Sequence, residues 1–334
     1  MRNKKTTPAG PRILIIKLSS LGDLFHALPA VHQLKTGLKA SIDWVTQNEY
    51  AGLVRCFTDV DRVIGFSRTR FWREFPFFFQ QLRLRRYDYI IDMQGLLKSA
   101  LVARLARGRR RIAPSFSREG SHLFFNDKAG GENKKRHAVE ECLDVVRYFK
   151  LDVQPAEFHC VFPRRPLEQK QKRIALIPCS RWPTKNWAPD RFVEVAKALQ
   201  EKTGAAIFLV GSAANQDVCH SIGQMLPGLV VNTCGRTNLV EMGSLIQEMD
   251  LVISVDSGPM HLAAAIGKPL IAVFGATDPV RTGPYLQLHN VVSTTGLSCQ
   301  PCRAKKCSRE DIACLRDLPG QQVIQKALVL LHCS

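Results

Sequence analysis

Short apolar runs alternate with helical patterns along the chain, and each apolar run ends in a polar or glycine-bearing loop. Arg12-Ile13-Leu14-Ile15-Ile16-Lys17 reads as a buried parallel strand: short, β-rich and mostly apolar. Gly22-Asp23 then opens a helical stretch over 24–35, and 41–45 and 62–65 read as further strands. Tyr87-Asp88-Tyr89-Ile90-Ile91-Asp92 is a strand ending in the loop Met93-Gln94-Gly95, with a helical pattern over 96–107. The region 152–173 carries Pro155, Pro163 and Pro166 with Gln and charge, and reads as a linker. The alternation then restarts, with strands at 173–178, 205–211, 250–256 and 270–275 and helices over 190–201 and 260–266. Such alternation implies a parallel sheet covered on both faces. The expected fold is therefore α/β, with two doubly wound, Rossmann-like domains at 1–165 and 166–334, the last helix free to pack back on the first. In such sheets ligands sit beyond the carboxyl ends of the strands, and two in tandem bind most naturally between themselves.

Charge narrows the partner. The 334 residues include 47 Lys or Arg and 29 Asp or Glu, a net charge of +18. An acidic partner follows: nucleic acid, an anionic membrane surface or a phosphorylated substrate. No apolar stretch approaches the roughly 18 residues of a spanning helix, and the run 13–16 is too short for a signal peptide. The expectation is a cytoplasmic chain whose eleven cysteines are mostly reduced thiols.

The loops after the strands carry the candidate chemistry. No G-x-G-x-x-G follows a strand, which disfavours a dinucleotide dehydrogenase, and no phosphate loop precedes Gly267-Lys268. Asp256-Ser257-Gly258 precede Pro259, a residue suited to a helix start, and free amides there hold phosphate well, with His261 in the first turn. An ordinary turn capped by Asp256 fits the same residues. In the 178–187 loop, Ser180, Thr184 and Lys185 offer hydroxyls and a cation to an anion. A loop pinned by Trp182 and Trp187 is the plainer alternative. Asp23 is either a helix cap, the commoner fate, or a general base.

Taken in order, these loops resemble glycosyltransferase family 9, the ADP-heptose:lipopolysaccharide heptosyltransferases. The resemblance rests on Lys17 to Asp23 with His26-Ala27-Leu28-Pro29-Ala30, and on Asp92-Met93-Gln94-Gly95-Leu96-Leu97-Lys98-Ser99-Ala100. It also rests on Trp182-Pro183-Thr184-Lys185-Asn186-Trp187 and Asp256-Ser257-Gly258-Pro259-Met260-His261. One departure is visible: members often place Glu in the helix after the Gly211 strand, where this chain has Gln216 and Asp217. The resemblance implies a GT-B fold, acceptor domain first and nucleotide-sugar domain second, and inverting transfer without a catalytic metal or other required cofactor. It implies Asp23 as the base. Ser180, Thr184, Lys185, Gly211, Asp256, Ser257, Gly258 and His261 would hold the nucleotide and pyrophosphate. Ser20, Gly22, Asp92, Gln94 and Lys98 would face the acceptor. The implied partners are ADP-heptose, the lipid A-core acceptor and the inner leaflet of the inner membrane of a Gram-negative bacterium, with the enzyme peripheral to it. Another sugar or acceptor within the family, and a basic nucleic-acid-binding protein, are the competing readings. No recognised RNA or DNA module supports the latter.

Three features stand apart. Residues 68–79 interleave basic and aromatic residues, which suits a phosphorylated lipid surface or an amphipathic helix packed on its own domain. Arg107-Gly108-Arg109-Arg110-Arg111 is a second basic run. Cys299, Cys302, Cys307 and Cys314 form a C-x2-C-x4-C-x6-C cluster that fits a structural zinc, redox pairing or free thiols. The only Asp-x-Asp, Asp59-Val60-Asp61, precedes a first-domain strand, the wrong place for a donor metal. His122, His137 and Cys179 have no assigned role.

Overall fold

Most of the apolar runs become strands buried at nearly every position, because a parallel strand covered by helices on both faces has no solvent side; the strand at 62–66 buries only Ile64. The computed structural model describes residues 10–133, 135–168 and 170–332. In the first unit, Met1–Val161, β1 (Arg12–Ile16), β2 (Ser41–Gln47), β3 (Arg62–Phe66), β4 (Tyr87–Asp92), β5 (Gly108–Pro114) and β6 (Asp127–Ala129) form one parallel sheet in the order β3-β2-β1-β4-β5-β6. In the second, Phe162–Ser334, β7 (Arg173–Ile177), β8 (Ala206–Leu209), β9 (Val230–Asn232), β10 (Leu251–Val255), β11 (Leu270–Phe274) and β12 (Val291–Ser293) form another, in the order β12-β11-β10-β7-β8-β9.

Both sheets have one topology. Counted within its own unit, each runs 3-2-1-4-5-6, the doubly wound order, and the direction of winding reverses between the first and fourth strands. Register places those strand ends side by side: Ile16 pairs with Asp92 and Ile177 with Ser254. The loops after β1 and β4, and after β7 and β10, therefore open at the switch point of each sheet, where a crevice forms beyond the carboxyl ends.

The division falls at 161/162, four residues ahead of the expected 165/166. The stretch read as a linker is partly integrated into the first unit. Gln33 and Gln154 exchange side-chain and backbone hydrogen bonds (2.8 and 3.1 Å), and Val161 N–H donates to Cys56 O (2.8 Å). The helix Gly320–Leu330, for which a return to the first domain was open, instead places Val323, Ile324 and Ala327 in the second unit's core.

The second basic run is strand β5, and part of it is structural. Arg111 donates to the carbonyls of Ala103 and Ala106, and Arg110 pairs with Asp127 at 2.8 Å. Arg107 and Arg109 stay exposed. Among the described residues, no helix is long and apolar enough to cross a membrane.

Candidate active site

The first unit's site is assembled at the β1/β4 switch point. The helix Leu21–Leu38 begins directly after the β1 loop, with Ser20 as its N-cap. Asp23 sits in the first turn, where a carboxylate suits the helix dipole. It accepts from Ser20 N–H (2.8 Å) and Ser20 Oγ–H (2.7 Å), a reciprocal cap. Yet its side chain is 41 % exposed, and its other oxygen lies 3.9 Å from His26 Nδ1. Asp23 is thus both a cap and a carboxylate presented outward, so the two readings of the sequence coexist. Gly22 is buried beside it.

The neighbouring β4 loop is held rigidly to the β1 loop. Gln94 Oε1 accepts from both Leu18 N–H (2.9 Å) and Ser19 N–H (3.0 Å). Lys17, almost fully buried, sends its ammonium to Met93 O (2.5 Å). Asp92 was expected to face the acceptor, and the structure corrects this. Its carboxylate is fully buried and accepts from Gln94 N–H (2.8 Å), Gly95 N–H (3.2 Å) and Ser99 Oγ–H (2.9 Å). Burial pushes its carboxyl up to about 6, against these donors and the nearby Lys17 cation. Asp92 and the Gln94 carbonyl therefore shape the loop. Lys98 is exposed at the start of the helix Leu97–Leu105, whereas the other acceptor candidates Ser20 and Gln94 are partly buried.

The second unit's site lies at the β7/β10 switch point. Lys185 Nζ, from the β7 loop, is 2.7 Å from Asp256 Oδ2, from the β10 loop. Thr277, from the adjacent β11 loop, donates its hydroxyl to the same oxygen (2.5 Å). Lys185 also lies 4.8 Å from the centre of the Trp182 ring, which Lys305 approaches at 5.4 Å. Ser257 caps the helix Gly258–Ala265 through Met260 N–H, with Pro259 in the first turn, and its hydroxyl meets that of Ser254 at 3.0 Å. His261 follows in that turn and is nearly buried. Ser180 N–H donates to Asn186 Oδ1 (2.7 Å), which folds the loop back on itself. The result is a cation held beside the N-terminus of a helix of eight residues, an arrangement that stabilises phosphate charge.

Three donor-side expectations are revised. Thr184 is buried and donates its hydroxyl to Ala304 O (2.6 Å), so it anchors the cysteine-bearing segment. Asp256 acts through Lys185, because a carboxylate this buried needs a partner cation. Gly211, after β8, backs onto Cys234, whose Sγ would lie 2.5 Å from a Cβ added there. The sequence reading missed Thr277 and the buried role of Lys17. Thr277 follows the β11 strand by three residues, at the carboxyl end where such sheets bind ligands, and its hydroxyl was the available signal.

Asp59 and Asp61 precede β3 and are engaged by His32 (3.0 Å) and by Lys35 (2.6 Å). A groove of about 470 Å³ runs beside the helix Pro189–Thr203, but its lining omits Lys185, Asp256, Ser257 and His261. Of its charged walls, Arg191 pairs with Glu194 and Arg316 with Asp311.

The glycosyltransferase family 9 (heptosyltransferase) sequence profile matches residues 77–313. Lipopolysaccharide heptosyltransferase 1 of Escherichia coli K12 is 30% identical over 94% of this chain and 98% of its own length. The lipopolysaccharide core heptosyltransferase OpsX of Haemophilus influenzae is 26% identical over 86% of this chain and 85% of its own. Among solved structures, the E. coli heptosyltransferase WaaC with ADP superposes with a TM-score of 0.78 at 24% identity, covering 96% of this chain and 99% of that one.

Proposed function

We propose that this chain, which belongs to glycosyltransferase family 9 (heptosyltransferase), transfers heptose from ADP-heptose to the inner core of lipopolysaccharide. The observation that carries this reading is the occupation of both switch points by the residues that bear the family resemblance. Asp23 is presented outward at one, and Lys185 lies beside a helix N-terminus at the other.

Asp23 accepts the proton of the acceptor hydroxyl as that oxygen attacks the anomeric carbon. The bond from that carbon to the ADP oxygen breaks on the opposite face, so the configuration inverts. Negative charge grows on the departing pyrophosphate. Lys185 and the amides at the start of the helix Gly258–Ala265 meet that charge where it develops, which is worth more than equal binding of the ground state. This clamp is made of protein groups, and the transfer requires no catalytic metal or other cofactor. Lys98 pairs with an anionic group of the acceptor.

The acceptor is lipid-linked, and the enzyme works at the cytoplasmic face of the inner membrane as a peripheral protein, with no nucleic-acid partner. The helix Phe71–Arg83 supports this. Phe78 and Leu82 bury one face in the first unit's core, while Trp72 (87 % exposed) and Phe77 (66 %) stand outward beside exposed Arg68, Arg70 and Arg73. Aromatic and basic groups together suit an anionic lipid interface.

Mass-spectrometric analysis of products, with ADP-heptose and a panel of truncated core acceptors, tests the reading. Addition of one heptose to an inner-core acceptor is expected. No transfer from ADP-heptose, with transfer from another nucleotide sugar, would move the enzyme to a different donor within the family.

A further inference from the structure

Lys185 enters the donor site with its charge already matched. Its ammonium lies 2.7 Å from Asp256 Oδ2, so the pair as a whole is neutral. The departing pyrophosphate of the proposed transfer carries more than one negative charge. The amides at the start of the helix Gly258–Ala265 answer it with about half a positive charge. The electrostatics therefore call for a further cation near Lys185.

Lys305 stands close by, brought there from a distant part of the chain. It belongs to residues 294–312, which contain no helix or strand and of which none is buried. Such a stretch has little apolar burial to set its course, and directed polar contacts set it instead. Gln300 Nε2–H donates to Gly275 O (2.9 Å), Arg303 N–H donates to Ala276 O (2.7 Å), and the Arg303 guanidinium pairs with Asp278 (3.0 Å). These three partners follow β11, in the loop whose Thr277 is bound to Asp256. One residue further on, Ala304 O accepts the hydroxyl of buried Thr184 (2.6 Å) from the β7 loop. The residues just before Lys305 are thus sewn to two of the loops that build the donor site.

Lys305 and Lys185 share one aromatic ring. Their ammoniums lie 5.4 and 4.8 Å from the centre of the Trp182 indole. The two cations are then at most about 10 Å apart, roughly one Debye length at 0.1 M salt. The electron-rich ring attracts each of them. Their mutual repulsion is relieved by anions, and Asp256 supplies one to Lys185. Among the described residues no carboxylate pairs with Lys305, which is exposed and open to a ligand. We propose that Lys305 is the second cation of the donor site and binds the pyrophosphate of the nucleotide sugar, with Trp182 as the platform that holds it beside Lys185. This rests on the donor reading given under the proposed function. Arg303, the nearer cation in sequence to the β11 loop, is committed to Asp278.

Calorimetric titration of the full-length protein with ADP is the test. Lys305→Ala is expected to weaken ADP binding by about tenfold. Its denaturation midpoint should not move, because the side chain is exposed and carries no ion pair among the described residues. That separates it from Lys185→Ala, which loses stability as well. Lys305→Arg should keep most of the affinity, and Lys305→Glu should lose more than Lys305→Ala. Lys306→Ala removes the same charge from the exposed neighbour and should bind ADP as the wild type does. Equal ADP affinity in Lys305→Ala and wild type overturns the proposal and leaves the donor reading standing. An equal loss in Lys306→Ala reduces the effect to overall charge and overturns it too. Wild-type protein that binds no ADP overturns both readings.

Discussion

Lys185 Nζ stands 2.7 Å from Asp256 Oδ2, joining the β7 loop to the β10 loop at the point where the second sheet reverses its winding. Asp256 is 4% exposed, and Thr277 is its other side-chain partner. Lys185→Ala leaves a buried carboxylate without its cation. A loss of about 2–4 kcal/mol in unfolding free energy is expected. ADP affinity should fall by about tenfold to a hundredfold, since charge-assisted hydrogen bonds are worth roughly 1.5–3 kcal/mol. Denaturant melts and calorimetric ADP titration check both. The double variant Lys185→Ala/Asp256→Ala should recover part of the stability and none of the affinity. A single variant with unchanged stability would mean that the pair is not formed.

Asp23→Asn keeps an oxygen to accept from Ser20 but cannot take a proton. Turnover should drop by about 10²–10⁴-fold with ADP binding unchanged. Asp23→Ala should be equally inactive and also lose about 0.5–2 kcal/mol, because the reciprocal cap with Ser20 goes as well. Residual turnover near the wild-type rate in Asp23→Asn would remove it as the base.

Asp92 makes stability depend on pH in an unusual direction. Its carboxyl titrates near about 6 in the folded chain, above the ordinary value of 3.8. Between those values the native state holds a proton that the unfolded state has released. This group therefore adds stability below about pH 4 and takes it away as pH rises through about 6, by up to about 3 kcal/mol. Asp92→Asn should flatten that part of the profile. The measurement is the difference in unfolding free energy between wild type and variant across pH 4.5 to about 7. Parallel profiles would count against the shift.

Trp72, Arg70 and Arg73 are exposed on or beside a helix whose other face is packed. Replacing both arginines with alanine should weaken binding to anionic vesicles by about tenfold or more, at roughly 1 kcal/mol per basic residue, and high salt should weaken it too. Trp72→Ala should weaken binding in a salt-independent way. Binding that none of these changes affects would place the membrane surface elsewhere.

The central strands were legible because a parallel strand buried on both faces must be apolar along its length. β1, β7, β8, β10 and β11 show this over nearly their whole length, and β4 shows it at Ile90 and Ile91. β5 was hidden because Arg109, Arg110 and Arg111 break the pattern: Arg110 pairs with Asp127 and Arg111 with the Ala103 and Ala106 carbonyls, while Arg109 stays exposed. β6, β9 and β12 have three residues each, too few for periodicity to register. At the candidate site, residue type and position singled out Asp23, Lys185 and the Ser257-Gly258 turn. The roles of Asp92 and Thr184 were misjudged because burial decides them. A carboxylate that serves its own loop and one that serves a ligand look alike in one dimension.

The two hydrogen bonds that Gln94 Oε1 accepts from Leu18 and Ser19 make the β1 and β4 loops a single mechanical part. That coupling sets where such an enzyme can evolve. A change at 92–95 also shifts the loop that leads into Asp23, so under the proposed transfer specificity and catalysis would be altered together. Leu97 and Lys98 lie just beyond that joint and face solvent. Under the proposed transfer, they are positions where acceptor preference could drift, or be redesigned, while Asp23 stays in place.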